Sequence, residues 1–391
     1  MQRLKMIQVI NTTKELKAFC KKWKKQPFIT VDTEFLREKT YFSVLCLIQI
    51  GCLEEDLCAC VDPLQEDMDL SALLELMKNK KVLKVFHSAR QDLEIFYQLM
   101  QQLPTPVFDT QIGAMVCGLG ENVSYHNIVH HYLGVDLDKS SRITDWSVRP
   151  LSEKQIVYAM GDVTYLAKVY DAMQKQLQEN GRTSWVSEEM DALLCDDLYN
   201  PNPDMAWHRL KPASTQGRYL SVLQALCAWR EAKAIEHNRP RRYILRDEQV
   251  LELAALCPQK MDDFKRLRGK SISENSSQAE QILQVVSNAL NLPPEQHPHF
   301  VREKTLTPAE QAIKEVLKLL LNVISCNLGV ASKLIASSDD LSKMASSSKP
   351  DILAMKGWRF DVFGQKAMEF KKGRLSLAFD KKTNSVIFEN R

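Results

Sequence analysis

Four acids and one tyrosine are spaced for cation-assisted chemistry. In VDTEF, Asp32 and Glu34 stand two residues apart within Phe28 to Phe35, an apolar run that reads as a buried strand. Side chains two apart on a strand share a face, so both carboxylates leave a rigid element in one direction. Asp92, in HSARQDLEIF, opens a helix directly after the apolar strand Val82 to Phe86. Tyr158 and Asp162, in YAMGD, are four apart on a helical segment and share its face. Ser152 and Gln155 give that helix a capping-box start. Three separate elements can therefore bring carboxylates to one point. Such a cluster repels itself unless cations sit in it, and oxygen-only ligands with room for water suit Mg²⁺ or Mn²⁺. A solvated-surface reading of these acids fails for Asp32, which follows Val31 inside the strand.

The elements that must position them come in a definite order. Strands near Ile29–Phe35, Cys46–Leu53 and Leu57–Val61 follow one another with short links, which suits an antiparallel meander. A helix, the Val82–Phe86 strand, another helix, a short Val107–Asp109 strand and further helices complete the first 180 or so residues. Asp109 before a helix reads as an N-cap. Residues 191–214, with YNPNPD, read as a linker. From Gln216 to Leu292 the pattern is helical. Leu220, Leu223, Leu226 and Ala234 share a face, Asp247 is the expected N-cap and Gly269 the expected stop. LPPEQHP is a second linker. Thr307, Pro308 and Glu310 then open a helix that Gly329 closes. Alternating Leu375, Leu377 and Phe379, then DKKTN, Val386 and Phe388, predict a terminal hairpin.

Composition narrows the function classes. The 391 residues suffice for two or three domains, and 45% hydrophobic content fills real cores. A net charge of only +3 means that a nucleic-acid groove must come from local clusters. The 10 cysteines lack zinc spacing and read as reduced thiols. The charged N-terminal stretch is no signal peptide, and no run of about 18 apolar residues occurs. The expectation is a cytoplasmic protein without a membrane anchor, and a monomer.

The acids and tyrosine resemble the DEDD exonuclease superfamily in its tyrosine branch, whose pattern is Asp-x-Glu, a distant Asp, then Tyr-x-x-x-Asp. The sister branch has a His five before the last Asp, where this chain has Val157. The resemblance extends to ribonuclease D over roughly residues 5–300, through FITVDTEFLREKTYFSVLCLIQIG, FDTQIGA and LDKSSRITDWSVRPLSEKQIVYAMGDVTYL. LCAWREAKAIEHNRPRRYILRDEQVLELA is similar to a helicase-and-RNase-D C-terminal (HRDC) domain. The implied architecture is an α/β ribonuclease-H-like exonuclease domain, a mixed sheet with flanking helices, over 1–205. Two all-α HRDC-type domains follow: 213–293, and 303–391 with the hairpin. The hairpin itself is not expected of the family.

What the resemblance implies is a 3′–5′ exoribonuclease with two divalent cations, Mg²⁺ or Mn²⁺. Asp32 would bridge them, Glu34 and Asp162 would hold the ion that activates water, and Asp92 would support the second. Tyr158 would orient the attacking water. The implied substrate is RNA, tRNA precursors above all. Candidate RNA contacts are Phe35 and Tyr41 beside the first motif, His87 near the site, and Arg142, Trp146 and Arg149 before the Tyr158 helix. In the helical region they are Arg241 and Arg242, within a run of Arg239 to Arg246. Lys139 belongs to the first loop, and Lys265, Arg266, Arg268 and Lys270 form a further basic cluster. His126, His130 and His131 share a helix without a cysteine and read as packing or surface residues. Two rival readings are a DNA-directed 3′ exonuclease and a catalytically silent RNA-binding protein.

Overall fold

The computed structural model describes residues 8–138, 144–267, 277–300 and 305–391. Arg142, with Lys139, lies outside the described residues, as do Arg268, Gly269 and Lys270. The chain divides into two compact units. The first comprises Met1–Thr33, Leu47–Leu194 and Thr305–Arg391, the second Glu34–Cys46 and Cys195–Lys304.

A six-stranded mixed sheet carries the acidic motifs. In chain order its strands are β1 (Gln8–Ile10), β2 (Phe28–Leu36), β3 (Val44–Gly51), β4 (Ala59–Val61), β5 (Leu83–Phe86) and β6 (Val107–Asp109). Their spatial order is β1-β4-β3-β2-β5-β6. β3 and β4 pair antiparallel, as the meander requires, while β5 runs parallel to both β2 and β6. The edge strand β1, parallel to β4, is an addition that its three residues are too short to announce. β2 is an inner strand, which is why Phe28 to Val31 form a continuous buried run rather than an alternating one.

Helices flank this sheet: α1 (Thr13–Trp23), α2 (Ser71–Lys78), α3 (Arg90–Met100), α4 (Thr110–Val116), α5 (Tyr125–Leu133), α6 (Glu153–Glu179) and α7 (Thr183–Leu193). Thr12 caps α1, whose Leu16, Phe19, Cys20 and Trp23 are buried on one stripe. α6, 27 residues long, starts at the Ser152–Gln155 capping box. It presses closely on the sheet. Thr30 Oγ1 donates to Val163 O at 2.8 Å, and a Cβ on Gly51 would stand 2.9 Å from that same carbonyl. No side chain larger than hydrogen fits there, so Gly51 fixes the height of α6, and with it Asp162.

The first unit also holds α12 (Pro308–Leu328) and the short helices numbered below. Thr307, Pro308 and Glu310 form the expected start of α12, and Gly329 closes it at φ 59°. Arg182 binds the Val116 and Leu328 carbonyls at 2.9 and 2.5 Å, Ala331 N donates to Met115 O, and Trp185 stacks on Trp358 at 4.3 Å. Residues 305–391 are thereby packed on the α4–α7 region. Beyond α13 (Ser332–Ile335), α14 (Ser338–Ser346), α15 (Gly357–Arg359) and α16 (Gln365–Lys371), β7 (Leu375–Asp380) and β8 (Ser385–Asn390) form an antiparallel hairpin.

The second unit is built on α8 (Gly217–Glu236), α9 (Arg241–Ile244), α10 (Asp247–Leu256) and α11 (Ser277–Leu290). Leu220, Leu223 and Leu226 lie in one core with Val250, Leu253, Ile282 and Val286. The expected N-cap is shifted by one residue. Arg246 takes that position, and Asp247, in the first turn, instead pairs with the buried Arg230 at 2.6 Å.

Candidate active site

Asp32, Glu34 and Asp162 each offer a carboxylate oxygen within 4.8 Å of the other two. Strand pleating supplies the first two and α6 the third, as the spacing required. Burial holds Asp32, Asp92 and Asp162 toward their neutral forms. The Asp32 carboxyl is pushed up to about 7 from its ordinary 3.8, despite a hydrogen bond from the Thr33 backbone. Asp162 is raised well above the usual range by burial and then by the charge of Asp32, with a hydrogen bond to Tyr158 opposing. A set of acids that cannot all ionise beside one another is a set that fits divalent cations.

Asp92 sits outside this threesome. It is buried, and its Oδ1 accepts a hydrogen bond from Thr33 Oγ1 at 2.5 Å. Burial, then the Asp32 charge, raise its pKa as well. The turn that leads into α3 is pinned by Asp109, whose Oδ1 and Oδ2 accept from Ser88 N and Ala89 N, each at 2.9 Å. The same carboxylate caps α4 through Gln111 N at 2.8 Å. The N-cap reading of Asp109 is therefore right, and its second duty is to orient the helix that bears Asp92.

Five of the expected RNA contacts have intramolecular duties instead. Trp146 is only 3% exposed and packs against the half-buried Tyr158 ring at 6.1 Å, because a large apolar indole gains more from burial than from solvent. Arg149 forks onto the buried Asp62 with two hydrogen bonds of 2.7 Å. His87 bonds Thr110 Oγ1 at 3.0 Å and packs 5.5 Å from the Tyr125 ring, and burial lowers its pKa. Tyr41 and Arg241 close on Glu231, which is 1% exposed. The Tyr41 hydroxyl donates to Glu231 Oε1, and Arg241 donates to both Glu231 oxygens and, at 2.9 Å, to Tyr41 Oη. Asn238 Oδ1 accepts from Tyr41 N and Phe42 N, both at 3.1 Å, and Arg209 adds a 3.2 Å ion pair to Glu231. A carboxylate buried this deeply needs its counter-charges, so Tyr41 and Arg241 are not open surfaces. Phe35 is half-buried, and Arg242 is exposed with its guanidinium 5.3 Å from the Tyr243 ring. His126 and His130 face Asp136 at 3.7 and 3.0 Å, which accords with a surface reading.

A profile described as 3′-5′ exonuclease matches residues 7–178, and an HRDC domain profile matches residues 220–286. Ribonuclease D of Bartonella henselae is 42% identical over 375 residues, covering 95% of this chain and 91% of that protein. Ribonuclease D of Granulibacter bethesdensis is 41% identical over 383 residues, 97% and 96% of the two chains. The chain belongs to the ribonuclease D family. The crystal structure of Escherichia coli RNase D, an exoribonuclease involved in structured RNA processing, superposes with a TM-score of 0.81 at 27% identity, covering 94% of this chain and 99% of that one. As a ribonuclease D family member the protein is a 3′–5′ exoribonuclease, with an acidic cluster compatible with divalent metal binding.

Residue-level reasoning missed two members of this ribonuclease D site. Thr33, one residue out of phase with the acids, was legible only as a buried strand threonine, yet it orients Asp92. Tyr125 donates to Gly161 O at 2.9 Å beside Asp162, and burial and the Asp162 and Asp32 charges raise its pKa. No spacing rule links a tyrosine in α5 to a motif in α6.

Proposed function

We propose that the protein trims the 3′ ends of structured RNAs, tRNA precursors among them, by two-metal hydrolysis that releases 5′-mononucleotides. The observation that carries this reading is the meeting of Asp32, Glu34 and Asp162 within 4.8 Å next to Tyr158. Asp32, Glu34 and Asp162 would hold one cation, Asp32 and Asp92 a second, with Mg²⁺ or Mn²⁺ the fitting ions. Such cations supply a nucleophile at neutral pH and charge for the leaving 3′-oxygen. The chain's own residues do the positioning. The Tyr158 hydroxyl, held by Asp162 and backed by the Trp146 ring, orients the attacking water. Phe35 packs on the terminal base, while Arg242 and Arg142 contact phosphate.

In this reading the exonuclease domain spans 1–205, an HRDC domain 213–293 and a second HRDC-like domain 303–391. The helical domains grip the RNA body while the acids take its single-stranded end. Among the described residues no helix is long and apolar enough to cross a membrane. We place the protein in the cytoplasm as a monomer. Digestion of a 3′-tailed tRNA and of matched single-stranded DNA, with Mg²⁺ and with EDTA, tests the proposal. A mononucleotide ladder from the RNA alone, abolished by EDTA, is expected. Equal digestion of the DNA would favour the DNA-directed rival, and no digestion of either the silent RNA-binding one.

A further inference from the structure

The β7–β8 hairpin turns apolar residues outward near its turn. Cross-strand partners share a face of a sheet, so Leu377 with Phe388 and Phe379 with Val386 form one side, which continues away from the turn to Asn390 and the buried Leu375. Ser376 with Glu389, Ala378 with Ile387, and Asp380 with Ser385 form the other. On β7, Leu377 is 50% and Phe379 59% exposed, whereas Ser376, Ala378 and Asp380 are all less so; on β8, Val386 and Phe388 are half-buried. Burial alone favours the opposite arrangement, because turning the strip of Leu, Phe, Val and Phe inward would remove more apolar area from water. A two-stranded sheet of this size has little stability of its own, so an outward apolar strip on it marks a surface with a partner.

Charge says what the partner is. Residues 371–391 hold six of the chain's 52 cations, Lys371, Lys372, Arg374, Lys381, Lys382 and Arg391, and two of its 49 acids. That stretch is therefore net +4, and the rest of the chain net −1. Lys381 and Lys382 are exposed in the turn that ends the apolar strip. Arg374 sits at its other end, with its side chain 67% exposed beside Glu369. Aromatic faces flanked by cations are how proteins hold single-stranded nucleic acid, the bases stacking and the phosphates pairing.

We propose that the outward face of the β7–β8 hairpin binds RNA, stacking bases on Phe379 and Phe388 with Lys381, Lys382 and Arg374 on the flanking phosphates. It is a binding surface apart from the acidic site, and it serves to hold the body of a long substrate. The test uses the full chain and a 3′-tailed stem-loop RNA, with binding measured in EDTA so that cleavage does not interfere. Phe379→Ala weakens binding about tenfold. Lys381→Ala with Lys382→Ala, which touches no apolar contact, makes the plot of log affinity against log salt shallower by about 1.5. Cleavage of a trinucleotide RNA, too short to use a second surface, stays within about twofold of the parent rate in both variants. It reads the catalytic site separately, so failure of the exoribonuclease reading and failure of this one look different. Unchanged stem-loop affinity and salt slope in both variants would overturn the proposal. So would a dimer in sedimentation that Phe379→Ala dissolves while RNA binding is untouched, because the strip would then be a contact between copies of the chain.

Discussion

Asp32 stands at the centre of the acidic cluster, and its charge reaches both Asp92 and Asp162. Asp32→Asn removes the charge on which the proposed pair of ions would depend. The expected outcome is a fall of about 10³-fold in kcat with the far-UV circular dichroism unchanged. A variant within tenfold of the parent would remove Asp32 from that role. Tyr158→Phe deletes one hydroxyl and keeps the ring that packs on Trp146. It should slow turnover by about 10²–10⁴-fold while Mn²⁺ affinity holds. Loss of metal affinity instead would make Tyr158 part of the ion site. At this scale the sequence is most readable, because Asp-x-Glu on a strand and Tyr-x-x-x-Asp on a helix are each set by a backbone period. The misreadings share one cause: Trp146, Arg149 and Arg241 look like nucleic-acid contacts from type alone. Only the half-buried Tyr158 ring and the buried Asp62 and Glu231 opposite them show otherwise.

The elements carry a device that types and periods do not show. The segment after β2 folds back within the second unit, where Tyr41, Arg241 and Arg209 gather on the 1%-exposed Glu231 and Asn238 holds the Tyr41 and Phe42 backbone. Their counter-charges hold the Glu231 carboxylate below its usual range even though burial opposes that. Glu231→Ala leaves Arg241 and Arg209 facing each other without their acid and should destabilise the unit by about 3 kcal/mol, read from the urea midpoint. A shift of less than about 0.5 kcal/mol would mean that the cluster is a surface pair. Glu231 itself lies in the helical stretch LCAWREAK and gives no hint of a partner 190 residues away.

For the whole molecule, the acidic cluster is a source of instability that metal should relieve. The Asp32 carboxyl ordinarily has a pKa near 3.8 and is raised to about 7 in the fold. A raised carboxyl contributes its stability fully below about pH 4 and loses it as pH climbs through about 7. The ion-free protein should thus become less stable from this group across that window, and Asp92 and Asp162 push in the same direction. Divalent cations bind the ionised form, so the rise in Tm from millimolar Mn²⁺ should be larger at pH 8 than at pH 5.5. An equal rise at both pH values, or none, would show that the cations bind elsewhere. Asp162→Asn should shrink the rise at pH 8.

The sequence by itself determined the strands β2 to β6, the capped starts of α6 and α12, the helical pattern of the described residues within 216–292 and the acids that share a face. These follow from periods of two and 3.6 and from capping chemistry, which act over a few neighbouring residues. Tertiary structure decided the rest. It placed Thr33 rather than solvent against Asp92 and put Asp109 under the turn before α3. It set α6 against Gly51, and it joined Tyr41 to Glu231. Each of these is a contact between residues far apart in the chain, made because a buried polar group must find a partner wherever the packing brings one. Spacing fixes which way a side chain leaves its own element, but only the packed chain fixes what it meets.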